Sequence, residues 1–267
     1  MPNKYWAKKI FPELSPANAE KALGDMIIKT MRLDTPNPVK AWKEHNETLE
    51  KRSEYLTRQQ FDRFEITNSI GTNLSVGMPD GYYFSGAREN MKGTKINFTA
   101  NMPSEEVFSL PHKYRVNGTV HNSLPLVNNG KIIDDFYLTF KDGKIIDYGA
   151  KVGEDVLKGI IESDANSHYL GEIAFVQYDS PIRNLGKLFY ETLFDENASC
   201  HLAIGEAYPM IKGAADLDEE EQDRLGINNS CVHVDFMYGT KDLHVVGVKK
   251  DGTRIDIIND GNFAIEY

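Results

Sequence analysis

Apolar residues recur with a helical period over the first 60 positions. Ser15-Pro16 supplies an N-cap and a first-turn proline, and Leu23, Met26, Ile27 and Met31 then fall on one face. Asn37-Pro38 opens a second helix. Its apolar positions Val39, Trp42, Leu49 and Leu56 lie near heptad spacing, while Lys43, Glu44, Glu47, Glu50, Lys51 and Arg52 occupy the other faces. At about 1.5 Å per residue this helix would be roughly 30 Å long. The pattern predicts a helical hairpin over residues 1–62, lying on the main body.

From Phe64 the period shortens. β-rich runs at 64–66, 96–98 and 136–140 are separated by Gly, Asn and Pro. Asp142-Gly143 and Asp251-Gly252 each sit between such runs and predict hairpins; their flanks look alike, which we read as shared turn chemistry. Helices are predicted again at 154–162 and 180–192, the latter with Leu185, Leu188, Phe189 and Thr192 on one face. The interleaving implies an α+β fold, with a largely antiparallel or mixed sheet flanked by helices. No Pro- or Gly-rich linker divides the chain, so residues 1–267 are expected to form one unit, with a β-rich core over 63–267.

The formal charge of -10 argues against nonspecific nucleic-acid binding, which needs clustered Lys and Arg to neutralise phosphates. Six acids and no base lie between Ala214 and Asp223, a stretch expected to be a surface loop. No apolar run approaches the roughly 20 residues of a membrane span, and the first residues lack the apolar stretch of a secretory signal. Two cysteines, Cys200 and Cys231, offer no disulfide framework, and two free thiols fit a cytoplasmic location.

Phosphate-binding glycine loops, nucleophile elbows and zinc-finger spacings are absent from the sequence. Four segments hold acids and histidines in apolar or small-residue surroundings. Over 229–238, a period of two puts Cys231, His233, Asp235 and Met237 on one strand face, where His and Asp could reach one ion or simply bond a neighbour. Glu172 opens an apolar strand; it is either buried with a partner or placed at an exposed end. His201 sits among small and apolar residues. Glu105 and Glu106 follow Pro103-Ser104, as ligands or as the acidic first turn of a helix. Together these are the donors of a two-metal hydrolytic site.

Asn-Met-Pro-Ser-Glu-Glu-Val-Phe, Leu-Gly-Glu-Ile-Ala-Phe-Val, Thr-Leu-Phe-Asp-Glu-Asn-Ala-Ser-Cys-His-Leu-Ala-Ile-Gly and Asn-Asn-Ser-x-x-His-x-Asp-Phe-Met resemble the aminopeptidase T and aminopeptidase S family of dinuclear metallopeptidases. The resemblance implies a cytosolic, homodimeric exopeptidase that removes N-terminal residues from peptides, with two divalent ions of zinc, cobalt, magnesium or manganese. Position by position it places metal ligands at Glu106, Glu172, His201, His233 and Asp235, with Glu172 bridging. Tyr208 matches a family tyrosine beside the metals, suited to an ion or an oxyanion. Glu105, next to a ligand, is our candidate general base. Members of the family also carry an N-terminal domain ahead of the point where this sequence begins. The expected function is therefore metal-dependent aminopeptidase activity. The alternatives are a catalytically silent metal-binding or assembly domain and, with no Arg cluster to support it, a dinuclear phosphoesterase.

Overall fold

A computed structural model describes residues 2–86, 88–91 and 93–266, without the side chains of Glu89 and Asn90. Three helices come first: α1 (Lys4–Ile10), α2 (Pro16–Thr30) and α3 (Pro38–Gln59). Ser15 and Asn37 cap α2 and α3 as expected, Asn37 Oδ1 accepting the Lys40 N–H at 3.0 Å. Within this helical segment a third helix, α1, precedes the expected pair; Asn3 caps it and it packs on α2. From α3, Leu49 and Leu56 enter the main core, whereas Val39 in the first turn is exposed.

Strands follow: β1 (Arg63–Thr67), β2 (Asn73–Gly77), β3 (Glu89–Asn90), β4 (Asn97–Phe98), β5 (Val107–Ser109) and β6 (Val116–His121). Next come β7 (Leu126–Asn128), β8 (Lys131–Lys141), β9 (Lys144–Val152) and, after helix α4 (Glu154–Ile161), β10 (Leu170–Phe175). Helix α5 (Thr192–Glu196) precedes β11 (His201–Gly205), and α6 (Glu219–Arg224) precedes β12 (His233–Met237). The chain ends with β13 (His244–Val248), β14 (Arg254–Asn259) and β15 (Asn262–Phe263). Among the described residues all strand pairings are antiparallel. The large sheet runs β15-β14-β13-β1-β2-β6-β8-β7 with β9 on β8; the smaller runs β12-β11-β10-β5. The fold is thus α+β, with antiparallel sheets and flanking helices.

The two sheets share one apolar core. Ile173, Phe175, Leu202, Ile204 and Phe236 of the smaller sheet bury against Phe64, Val76, Phe136 and Leu138 of the larger. Edge-to-face ring pairs span the gap, Phe64–Phe175 at 5.0 Å and Phe136–Phe236 at 5.6 Å between centroids. A second cluster packs Ala7, Leu23 and Met26 of the N-terminal helices against Ile182, Phe189 and Phe194. Since strand side chains alternate, the core face of the smaller sheet leaves its other face free for chemistry.

Both Asp-Gly hairpins form; at the first, Asp142 and Gly143 are left-handed with φ of 50° and 82°. Two expectations change. The helix expected at 180–192 is a single 3-10 turn, Arg183–Leu185, followed by open chain. Gly186 and Tyr190 adopt positive φ, and the Asp195 carboxylate takes the Phe189 and Glu191 N–H groups at 2.7 and 3.0 Å, outcompeting a helical ladder. The acidic stretch at 214–223 is not a plain loop: Asp218 and Glu221 form a reciprocal capping box that opens α6.

Candidate metal centre

The strand register explains why four separated segments meet. Glu172 on β10, Ala203 on β11 and Asp235 on β12 are direct neighbours across three strands. His201 lies two residues from Ala203, and His233 two from Asp235, so all point from the same face. Ala203 in the centre keeps that face low, so longer side chains from both flanks can converge above it.

The face depends on a bulge. Leu170 pairs with Ile204 and Glu172 with Ala203, so Gly171 is an extra residue in β10. Without it, Leu170 would share the Glu172 face; with it, Leu170 joins Ile173 and Phe175 in the core. Gly171 also has no room for a side chain, because a Cβ there would lie 1.9 Å from the Glu206 carbonyl oxygen.

Glu172 is buried, not at an exposed end. Its carboxylate belongs to two groups whose donor atoms all lie within 4.8 Å of one another: Glu106, Glu172 and His201 in one, Glu172, His233 and Asp235 in the other. The Glu106 Oε2 and Glu172 Oε1 atoms stand 2.9 and 3.3 Å from His201 Nε2. Asp235 Oδ1 and Glu172 Oε2 stand 3.3 and 3.8 Å from His233 Nε2.

Each imidazole has its Nδ1 tied to a backbone carbonyl, His201 to Ser199 at 3.0 Å and His233 to Glu206 at 2.8 Å. Nδ1 is therefore the donor, and each Nε2 is turned on the carboxylates. Between Nε2 and those carboxylates a cation must sit, a proton in the metal-free chain or a metal ion in its place. His201 Nε2 and Asp235 Oδ1 are also buried without an aligned hydrogen-bond partner. This donor set fits two divalent ions, so the chain has a buried site able to chelate two metals.

Protonation follows the same excess of acid. Burial works against charge on His201, but the Glu106 and Glu172 carboxylates raise it well above the ordinary histidine value. Burial likewise opposes charge on His233, yet Asp235 and Glu172 bring it up to about 9. Burial pushes Glu172 up to about 7, with the Asp235 and Glu106 charges adding and His201 opposing. Burial also pushes Asp235 up, but His233 and His201 hold it below the usual carboxylate range.

The site faces a cavity of about 860 Å³, lined among others by Glu106, Phe108, Glu172, Tyr208, His233 and Asp235. Tyr208 is exposed, with its ring 5.9 Å from the His233 ring. Glu105 does not line the cavity. It alternates with Glu106 just before β5, not in a helix first turn, and its carboxylate faces Arg32 instead. The carboxylate that sequence reasoning missed is Glu196, which lies on the cavity wall within hydrogen-bond reach of Asp235. Burial first, then the Asp235 charge, pushes it up to about 10. In sequence it stands five residues before His201, within a segment that carries the resemblance, with no pattern that marks it as buried. Of the two cysteines, Cys200 is buried and Cys231 exposed, and neither belongs to the ligand groups.

A family model described as thermophilic metalloprotease (M29) matches residues 1–263. The chain is 44% identical over 268 residues to aminopeptidase 2 of Geobacillus stearothermophilus, covering 100% of this chain and 64% of that relative. It is 44% identical to aminopeptidase AmpS of Bacillus subtilis, covering 97% of this chain and 63% of the relative. Among solved structures, wild-type AmpT from Thermus thermophilus superposes with a TM-score of 0.90 at 34% identity, over 97% of this chain and 62% of that one. The chain therefore spans less than two thirds of the length of the relatives it matches.

Proposed function

Because this chain belongs to the thermophilic metalloprotease (M29) family, we propose that it is a metallo-aminopeptidase, releasing N-terminal residues from peptides. The observation that carries the reading is Glu172, whose single carboxylate is common to two ligand groups on the wall of a cavity. Glu106 and His201 would complete the first group, His233 and Asp235 the second. Their imidazole and carboxylate donors suit zinc, cobalt or manganese better than magnesium, which favours oxygen alone. Two such ions would polarise the scissile carbonyl and lower the pKa of a water to about 7.

The protein's own groups supply proton handling. Of the four acids on the wall, Glu106, Glu172 and Asp235 would be offset by the ions they hold, which leaves Glu196 as the acid open to substrate and water. Glu196 holds a proton against Asp235 in the metal-free chain and stands clear of both ligand groups. Two ions beside it would favour its ionised form, and that carboxylate is the group positioned to take a proton from water and return it to the leaving amine. Tyr208, beside His233, presents its hydroxyl to the oxygen that gains charge. We extend the reading to a homodimer acting in the cytoplasm; sedimentation and cell fractionation test those two points.

The deciding experiment compares cleavage of a free-amine peptide and its N-acetylated form, with zinc, cobalt or manganese and with chelator. Activity on the free amine alone, abolished by chelator, is expected. Equal cleavage of the blocked peptide or indifference to chelator would overturn the reading. Two bound ions without turnover would make the chain a silent metal-binding domain. Glu196→Gln is expected to lower kcat by about 10²–10⁴-fold.

A further inference from the structure

Glu106 lies one residue outside β5, whose pairing with β10 begins at Val107. Its backbone is fixed instead by what grips the two residues before it. The Glu105 N–H donates to Asn197 Oδ1 at 2.7 Å. The Glu105 carboxylate accepts from Arg32 Nη1 at 2.6 Å and Nη2 at 2.8 Å, and is 3% exposed. One residue earlier, the Ser104 carbonyl faces His45 Nε2 at 2.7 Å.

Arg32 is itself prepared for this geometry. It follows the end of α2 in the left-handed region, with φ of 55°, which a non-glycine residue adopts only when its surroundings enforce it. Its guanidinium lies 5.3 Å from the Trp42 ring, and Nη2 also reaches His45 Nδ1 at 3.1 Å. Burial, with Arg32 adding to it, lowers the His45 pKa, so the ring is neutral. Its Nδ1 then accepts from Arg32 while Nε2–H donates to Ser104. Trp42 Nε1 is anchored on the Met31 carbonyl at 2.7 Å, closing the frame across the α2–α3 turn.

We propose that Arg32 and Glu105 form a positioning clamp that aims the Glu106 carboxylate at the metal centre. Strand alternation sends Glu105 to one side and Glu106 to the other, so holding the first sets the direction of the second. A bidentate fork fixes position and angle together, which a single lysine contact does not. Stability alone is a poor reason for such a pair, since well-packed apolar replacements of buried ion pairs are often neutral. Asn197 adds a link to α5, so the same frame also carries Glu196. The clamp rests on the dinuclear reading of the site given above.

The test is zinc titration of the full chain in competition with a chromophoric chelator, with melting curves in excess chelator and kinetics alongside. The key variant is the double substitution Arg32→Met with Glu105→Met, which removes the clamp without stranding a buried charge. Arg32→Lys, which keeps the charge and loses the fork, is the second. Wild type is expected to bind two zinc ions. The double variant should melt like wild type in chelator yet bind one ion at least about tenfold more weakly. Its kcat should fall while KM stays within about twofold, and Arg32→Lys should fall between the two. Wild-type affinity for both ions in the double variant would overturn the clamp. A large drop in its melting temperature in chelator would also overturn it, making the pair a prop for the fold. Fewer than two ions bound by the wild type would instead defeat the metal reading itself.

Discussion

His201 and His233 donate from Nδ1 to the main chain, which leaves each with one basic nitrogen among carboxylates. At neutral pH both rings hold a second proton, because the facing carboxylates raise their pKa values. An entering cation must displace these protons. Zinc binding is therefore expected to release about two protons per chain at pH 7 and to tighten with pH. Calorimetry in buffers of different ionisation enthalpy reads the count. In metal-free protein the sign for stability is opposite: the His233 contribution is complete below its ordinary value of about 6.5. It disappears as pH rises through about 9. Much of this was legible in the sequence. The alternation His233-x-Asp235 and the lone Glu172 in an apolar strand announced themselves by being polar where burial was expected. Glu196 and the true partner of Glu105 did not, since an acid in a charged stretch looks the same whether it faces water or a cavity.

Among the elements, β10 shows best how local detail decides the site. Its extra residue, Gly171, leaves Leu170 in the core and Glu172 over the cavity. A methyl at Gly171 would press on the Glu206 carbonyl, the acceptor that orients His233. Gly171→Ala is expected to weaken zinc binding by about tenfold or more, measured by chelator competition, while the Arg32–Glu105 clamp remains intact. Asp164 plays a quieter part beneath β12. Burial opposes its charge, but donors from Cys231, Ser230 and Asn166 hold its carboxyl well below the usual range. Stability from this group is present above about pH 4 and lost as pH falls below it. The melting-temperature gap between wild type and Asp164→Asn should be constant above pH 5 and close in acid. Element types were mostly readable because caps, Asp-Gly turns and periodicity are local signals. The bulge and the failed helix at 180–192 were not, because a strand register and the grip of Asp195 on distant N–H groups are set by tertiary contacts.

At the scale of the molecule, the charge of -10 divides unevenly. The run at 214–223 is partly neutralised in place: Asp223 meets Lys113 at 2.7 Å, and Glu220 pairs with Arg224. The acids of the metal site cannot disperse, and two divalent ions would bring the sum to about -6. Ligand binding to the folded state alone adds stability by mass action. Free zinc at about a hundred times its dissociation constant should therefore raise unfolding free energy by about 2.7 kcal/mol per site. A melting temperature unchanged by saturating zinc would contradict the site. The two-sheet core between Phe64, Phe175, Phe136 and Phe236 owes nothing to metal, so chelated protein should keep its far-ultraviolet circular dichroism while losing activity.

The tethered imidazoles carry one further consequence, for the life of the chain after synthesis. With a proton on each Nε2, His201 and His233 give the surrounding carboxylates positive neighbours before any metal arrives. A newly made chain can then finish folding on placeholders and wait. Under metal scarcity the chain is then expected to stay folded and able to take up ions when supply returns, which limited proteolysis of the chelated protein checks.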